Sequence, residues 1–143
     1  MTAAPRHFRI ATTAFMLSGL TGVLAPTTVQ AAGCERLTQI ESGATPENAI
    51  CRTYLTAEGT VGTSCHWPFA YRSGEAVTFA DTLWQQISTC REGELEGQEN
   101  SVNHPDSYAL RTWAAASGVY RVSVKDKAQL NGTYVFLRTE PGK

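Results

Sequence analysis

Four cysteines in a chain that opens like an export signal constrain this protein more than any other feature. Cys34, Cys51, Cys65 and Cys90 all lie downstream of a leader-like segment. Arg6 and Arg9 give residues 1–9 a positive charge with no acid. Ile10 to Ala25 is an apolar run softened by Thr, Ser and Gly, and Pro26 ends it. Val29-Gln30-Ala31 then places small side chains where a signal peptidase requires them, so residues 1–31 read as a secretory signal peptide. Residues 32–143 remain as a single small domain, destined for the periplasm or the extracellular space. Export means an oxidising compartment, and an even number of thiols there reads as two disulfides. Ala31-Ala32-Gly33-Cys34 carries a weaker lipobox-like pattern, the minor alternative of a lipoprotein anchored at Cys34, which leaves an odd number of cysteines.

Composition narrows the function classes. At 42% hydrophobic and 17% charged over 143 residues, the chain is too apolar for disorder and too short for two ordinary domains. Without residues 1–31 the charge is 10 − 13 = −3, which offers no general affinity for nucleic acid or anionic membrane. No apolar run is long enough to span a bilayer in the mature chain.

Periodicity supplies the elements. Over residues 75–90, Ala76, Phe79, Ala80, Leu83, Ile87 and Cys90 form one apolar helical stripe, with Ser73 as N-cap and Glu75 at the positive end of the dipole. Cys65, Trp67, Phe69 and Tyr71 alternate with His66, Pro68 and Ala70, which predicts a strand from Ser64 to Arg72. A helix packed on that aromatic face brings two sulfurs together, so the expected bridge is Cys65–Cys90, with Cys34–Cys51 by elimination. Thr45-Pro46-Glu47-Asn48 reads as a helix opening that continues to about Leu55, after a weaker turn at Leu37 and Ile40. Three alternating runs near Tyr108–Trp113, Tyr120–Lys125 and Tyr134–Leu137 predict an antiparallel meander. The expected fold class is α+β: one amphipathic helix on a four-stranded, mainly antiparallel sheet in the order β-α-β-β-β, preceded by a short helical segment.

Candidate chemistry is sparse. Residues 91–107 lack periodicity and hold Glu92, Glu94, Glu96, Glu99 and Asp106 against Arg91, which reads as a solvated loop or a docking surface for a basic partner. Calcium would want a D-x-D-x-D-G spacing and zinc close cysteine pairs, and neither is present, so no metal or cofactor is expected. His104 beside Pro105 and Asp106 reads first as the start of a strand. His66 lies opposite the aromatic face. Two histidines, a glutamate and an arginine on an antiparallel sheet broadly resemble the kit of small secreted microbial ribonucleases, an analogy at the level of fold. Trp84 and Trp113 lie off the core stripe, and Trp113 shares a face with Arg111, a composition typical of binding hot spots. The sequence contains neither a G-x-S-x-G elbow nor a phosphate-binding glycine loop. The leading expectation is an exported, non-enzymatic protein-binding domain working through Glu92, Glu94, Glu96, Glu99, Arg111, Trp113 and Arg121, as an inhibitor, immunity or accessory protein. The alternative is a ribonuclease-like secreted hydrolase using His66 and His104.

Overall fold

A computed structural model describes residues 30–142. The element order is α1 (Gln30–Glu41), β1 (Ile50–Leu55), β2 (Val61–Ala70), α2 (Gly74–Cys90), β3 (Gly93–Asn103), β4 (Asp106–Ala115), β5 (Gly118–Lys127), a single 3-10 turn (Ala128–Leu130) and β6 (Gly132–Pro141). The strands form one antiparallel sheet in the order β1-β2-β6-β5-β4-β3. Six strands correct the expected four, and both additions come from segments that carry no helix-sheet alternation of their own.

The first addition is β1, where the sequence predicted a helix. Thr45-Pro46-Glu47-Asn48 does make a turn, closed by Ala49 N–H donating to Pro46 O at 3.1 Å. Asn48 then enters the left-handed region at φ 58°, which stops a helix from propagating. The following Ile-Cys-Arg-Thr-Tyr-Leu is rich in β-branched and aromatic residues and pairs with β2 from Ile50↔His66 to Leu55↔Val61. The second addition is β3, which occupies most of the expected loop 91–107 and pairs with β4 along its length, with a bulge between Leu95 and Gly97.

The new strand β1 also redirects the disulfides. Cys51 stands directly opposite Cys65 across β1 and β2, with Cα atoms 4.0 Å apart, and the two are bridged. Cys90, at the last turn of α2, meets Cys34 on α1 instead. The expected Cys65–Cys90 and Cys34–Cys51 pairing is therefore wrong, because a cross-strand neighbour lies closer to Cys65 than the helix above it. Cys34 has its sulfur in the bridge, which a lipid thioether at that residue would preclude. The expected signal peptide lies outside the described residues except for Gln30 and Ala31, which begin α1.

The core forms where both helices meet one face of the sheet. Ser73 caps α2 as expected, accepting from Glu75 N–H at 3.1 Å, and Ala76, Ala80, Leu83 and Ile87 are buried. They pack on Cys65 and Trp67 of β2, Tyr120 and Val122 of β5, and Val135 and Leu137 of β6. Leu37 and Ile40 of α1 complete the cluster, fully buried. Right-handed twist accumulates over the six neighbouring strands. On one diagonal, the Tyr71 hydroxyl at the end of β2 donates to Pro105 O at 2.7 Å in the β3–β4 turn. On the other, the β1–β2 turn and the start of β3 border one shared hollow on the opposite face.

Candidate functional site

Helix α2 packs over β5 and β6, and β3 and β4 extend past it. Side chains that face the helix on β4 are those paired with the helix-facing residues of β5: Trp113 with Tyr120, Arg111 with Val122, Ala109 with the half-buried Val124 and Ser107 with the half-buried Asp126. Trp113 and Arg111 reach back to the helix, but Ala109 and Ser107 are too short to do so. Opposite them α2 presents Gly74, Val77 and Ala80. Small residues on both sides leave a cleft of about 400 Å³, floored by Val122 and Val124 and rimmed by Gln98, Asn100 and Val102 of β3. Its size and its apolar floor under a few polar groups match those of ligand sites.

Every charge at the cleft has a partner within the protein. At one end Arg111 pairs with Asp81 of α2 at 2.9 Å, and its guanidinium lies 5.7 Å from the centre of the Trp84 ring. Trp84 meets Trp113 edge-on at 5.6 Å, and the Trp113 indole N–H donates to Arg91 O at 3.1 Å. At the other end the Asp126 carboxylate accepts from Ser107 and Thr133 hydroxyls, both at 2.6 Å, with Arg72 Nε at 3.9 Å. The Arg111–Asp81 side chains are 38% and 49% exposed, so that pair is a loose gate of small net energy rather than a fixed wall. Val77 of α2 and Val102 of β3 both line the cleft, 54% and 67% exposed. The amides of Gln98 and Asn100 are exposed on one face of the edge strand.

The residues expected to form the working surface separate into three groups. Glu92 precedes β3, and Glu94, Glu96 and Glu99 lie along it, all exposed. Arg111 and Trp113 stand on the helix-facing side of the sheet, at the cleft, and Arg121 stands on the far side, where it pairs with Glu140. His66 also lies on that far side, its ring 5.3 Å from Phe136 and 6.1 Å from Tyr134. His104 sits at the tip of the β3–β4 turn, past the opposite end of the strands, after which Asp106 begins β4. From His66 to the Tyr71 that this turn touches is five residues, roughly 16 Å of extended chain. The structure does not bring the two histidines together. Asp106 faces away from the cleft and holds Lys127 at 2.6 Å. The hydrogen bond from Lys127, followed by the Ala128 N–H, keeps its carboxyl below the usual range.

Asp81, Val77, Gln98, Asn100, Ala109 and Asp126 escaped the sequence reading. Gln98 and Asn100 were absorbed into an aperiodic loop, and a void made by small residues has no local signature. Among the described residues, no group of three His, Cys, Asp or Glu side chains is placed to hold a metal ion, and no helix is long and apolar enough to cross a membrane. Compared with known proteins, the chain matches no protein-family model and no curated protein.

Proposed function

We propose that this protein is a small exported binding domain, without catalytic activity of its own, that acts as an inhibitor, immunity or accessory partner of another protein. Its working surface is the β3–β4 arm: the acidic edge of β3 and the cleft that the arm forms with α2. The observation that carries this reading is the cleft itself, an apolar-floored site about 400 Å³ in volume bordered by an edge strand bearing Glu94, Glu96 and Glu99. An edge strand offers unpaired backbone donors and acceptors to a partner, and its carboxylates favour a basic one. Two disulfides fit an oxidising environment outside the cytoplasm, and the export signal in residues 1–31 supplies the route.

Capture from periplasmic extract tests the proposal. Wild-type protein retains a partner. The retained amount falls when Glu92, Glu94, Glu96 and Glu99 are changed to Gln, and falls again when Ala109→Phe fills the cleft. Absence of any partner, or one indifferent to both changes, overturns the assignment.

A further inference from the structure

The sheet has two open edges, and they are built differently. Strand β3 carries Glu94, Glu96 and Glu99 and is broken by the bulge between Leu95 and Gly97. Charges and bulges are what edge strands use to resist pairing with copies of themselves. Strand β1, at the other edge, has no acid and no bulge. It reads Ile-Cys-Arg-Thr-Tyr-Leu, with Arg52 as its one charge. Ile50 and Leu55 are 57% and 71% exposed on it, and Val61, opposite Leu55, is 60% exposed.

The backbone of β1 is open at alternate residues. Just past the strand, Thr56 N–H donates to Thr60 O at 2.9 Å. By antiparallel alternation Tyr54, Arg52 and Ile50 then bond β2, while Leu55, Thr53 and Cys51 turn their N–H and C=O outward. The 4.0 Å Cα separation of Cys51 and Cys65 is the close spacing of a non-hydrogen-bonded pair and gives the same assignment. The neighbouring side chains leave this rim clear. The disulfide draws Cys51 inward to β2, and the Tyr54 ring folds back over Gly62, where a Cβ would come within 2.7 Å of Tyr54 Cζ. Thr53, between them, is small and exposed.

We propose that β1 pairs antiparallel with β1 of a second copy of this chain, about a two-fold axis at Thr53. In that register Thr53 opposes itself, Cys51 opposes Leu55 and Arg52 opposes Tyr54 of the other copy, so every outward-facing group of the strand is bonded. An axis at Arg52 would set two guanidiniums opposite each other. An axis at Tyr54 would carry Cys51 past the end of the opposing strand. The strand is thus self-complementary in one register, and with a single charge it has little by which to select a foreign strand. The pair is closed, because each copy spends its β1 edge and the acidic β3 edges stay outermost. The seam is short, of the size of transient interfaces, so the dimer forms reversibly. It lies at the opposite edge from the cleft and the acidic arm, so the two assignments stand or fall independently.

Sedimentation equilibrium of the mature protein, from about 10 μM to about 1 mM, tests the pairing. Wild type passes from monomer to dimer and stops there. Over the same range the amides of Cys51, Thr53 and Leu55 gain at least about tenfold protection from hydrogen exchange, while those of Arg52 and Tyr54, already bonded to β2, change little. Thr53→Pro removes an N–H that β2 does not use and weakens dimerisation by at least about tenfold. Thr53→Lys sets like charges together at the axis and weakens it severalfold. Glu99→Lys, on the other edge, leaves it unchanged. Thermal unfolding verifies that each variant is folded, and Thr53→Lys serves if Thr53→Pro is not. Monomer throughout, growth beyond the dimer, or dimerisation indifferent to the folded Thr53 variants overturns the proposal. So does protection that arises on β3 instead, or on β1 only when periplasmic extract is added.

Discussion

Glu41 ends α1 by accepting from two side chains at once. Its carboxylate takes Arg91 Nε at 2.8 Å and the Tyr120 hydroxyl, while Arg91 also donates to Cys90 O at 2.7 Å. One acid thus ties α1, the end of α2 and the start of β5 together near the Cys34–Cys90 bridge. Burial alone would raise its carboxyl, but the hydrogen bonds from Arg91 and Tyr120 outweigh burial and hold it below the ordinary range. A depressed folded value means stability that is complete above the unfolded pKa and lost as pH falls through the folded one. Glu41→Gln should therefore cost roughly 1–3 kcal/mol at neutral pH. The gap from wild type should close in acid, as measured by urea unfolding at pH 7 and near pH 3. Tyr54 has the opposite sign: burial and its bond to Glu140 push its phenol up to about 12. Its contribution is complete below the ordinary tyrosine value and lost as pH rises towards 12. Burial raises Tyr108 and Tyr120 as well, so ultraviolet titration should show several late tyrosines, of which Glu140→Gln brings down Tyr54.

Among the elements, α2 was the most legible and β3 the least. A helix buried on one side writes its period into the sequence, as Ala76, Ala80, Leu83 and Ile87 do. Strand β3 is an edge strand with little cover on either face, so Glu94, Gln98 and Asn100 need not alternate with apolar residues, and the polarity that looked like a loop is the polarity of a solvated edge. Strand β1 was misread for a different reason: a real turn at Pro46-Glu47-Asn48 was extended as a helix, when its left-handed Asn48 ends it. The bridges belong to this scale too. Cys34–Cys90 spans 56 residues and Cys51–Cys65 spans 14. In the chain-entropy picture, replacing the first pair by Ala costs about 4 kcal/mol and the second about 3. Chemical denaturation of the two double variants checks that order, and an equal or reversed order would show that loop length does not govern it.

At the scale of the molecule, the proposed export would couple to folding through the two disulfides. The mature chain, near 110 residues, has one modest core and is stapled at both helices and at one sheet edge. Expressed with residues 1–31 and recovered from the periplasm, it should begin at Ala32 by N-terminal sequencing and contain no free thiol. Made in a reducing cytoplasm, the same domain should be markedly less stable, and urea unfolding of the two preparations compares them. Neither the cleft nor the separation of the two sheet faces exists below this scale. Arg111 and Arg121 sit ten residues apart on neighbouring strands, yet the parity of β4 and β5 sends one to the cleft and the other to the far face.

The sequence by itself determined the presence of two bridges, the amphipathic helix and the meander of β4, β5 and β6. Each of these is written in spacing between near neighbours, where periodicity and composition act directly. Only the tertiary structure decided which cysteines meet, where the edges of the sheet lie and where small residues face one another across a gap. Those outcomes depend on register and twist summed over six strands, and no local segment of the chain carries that sum.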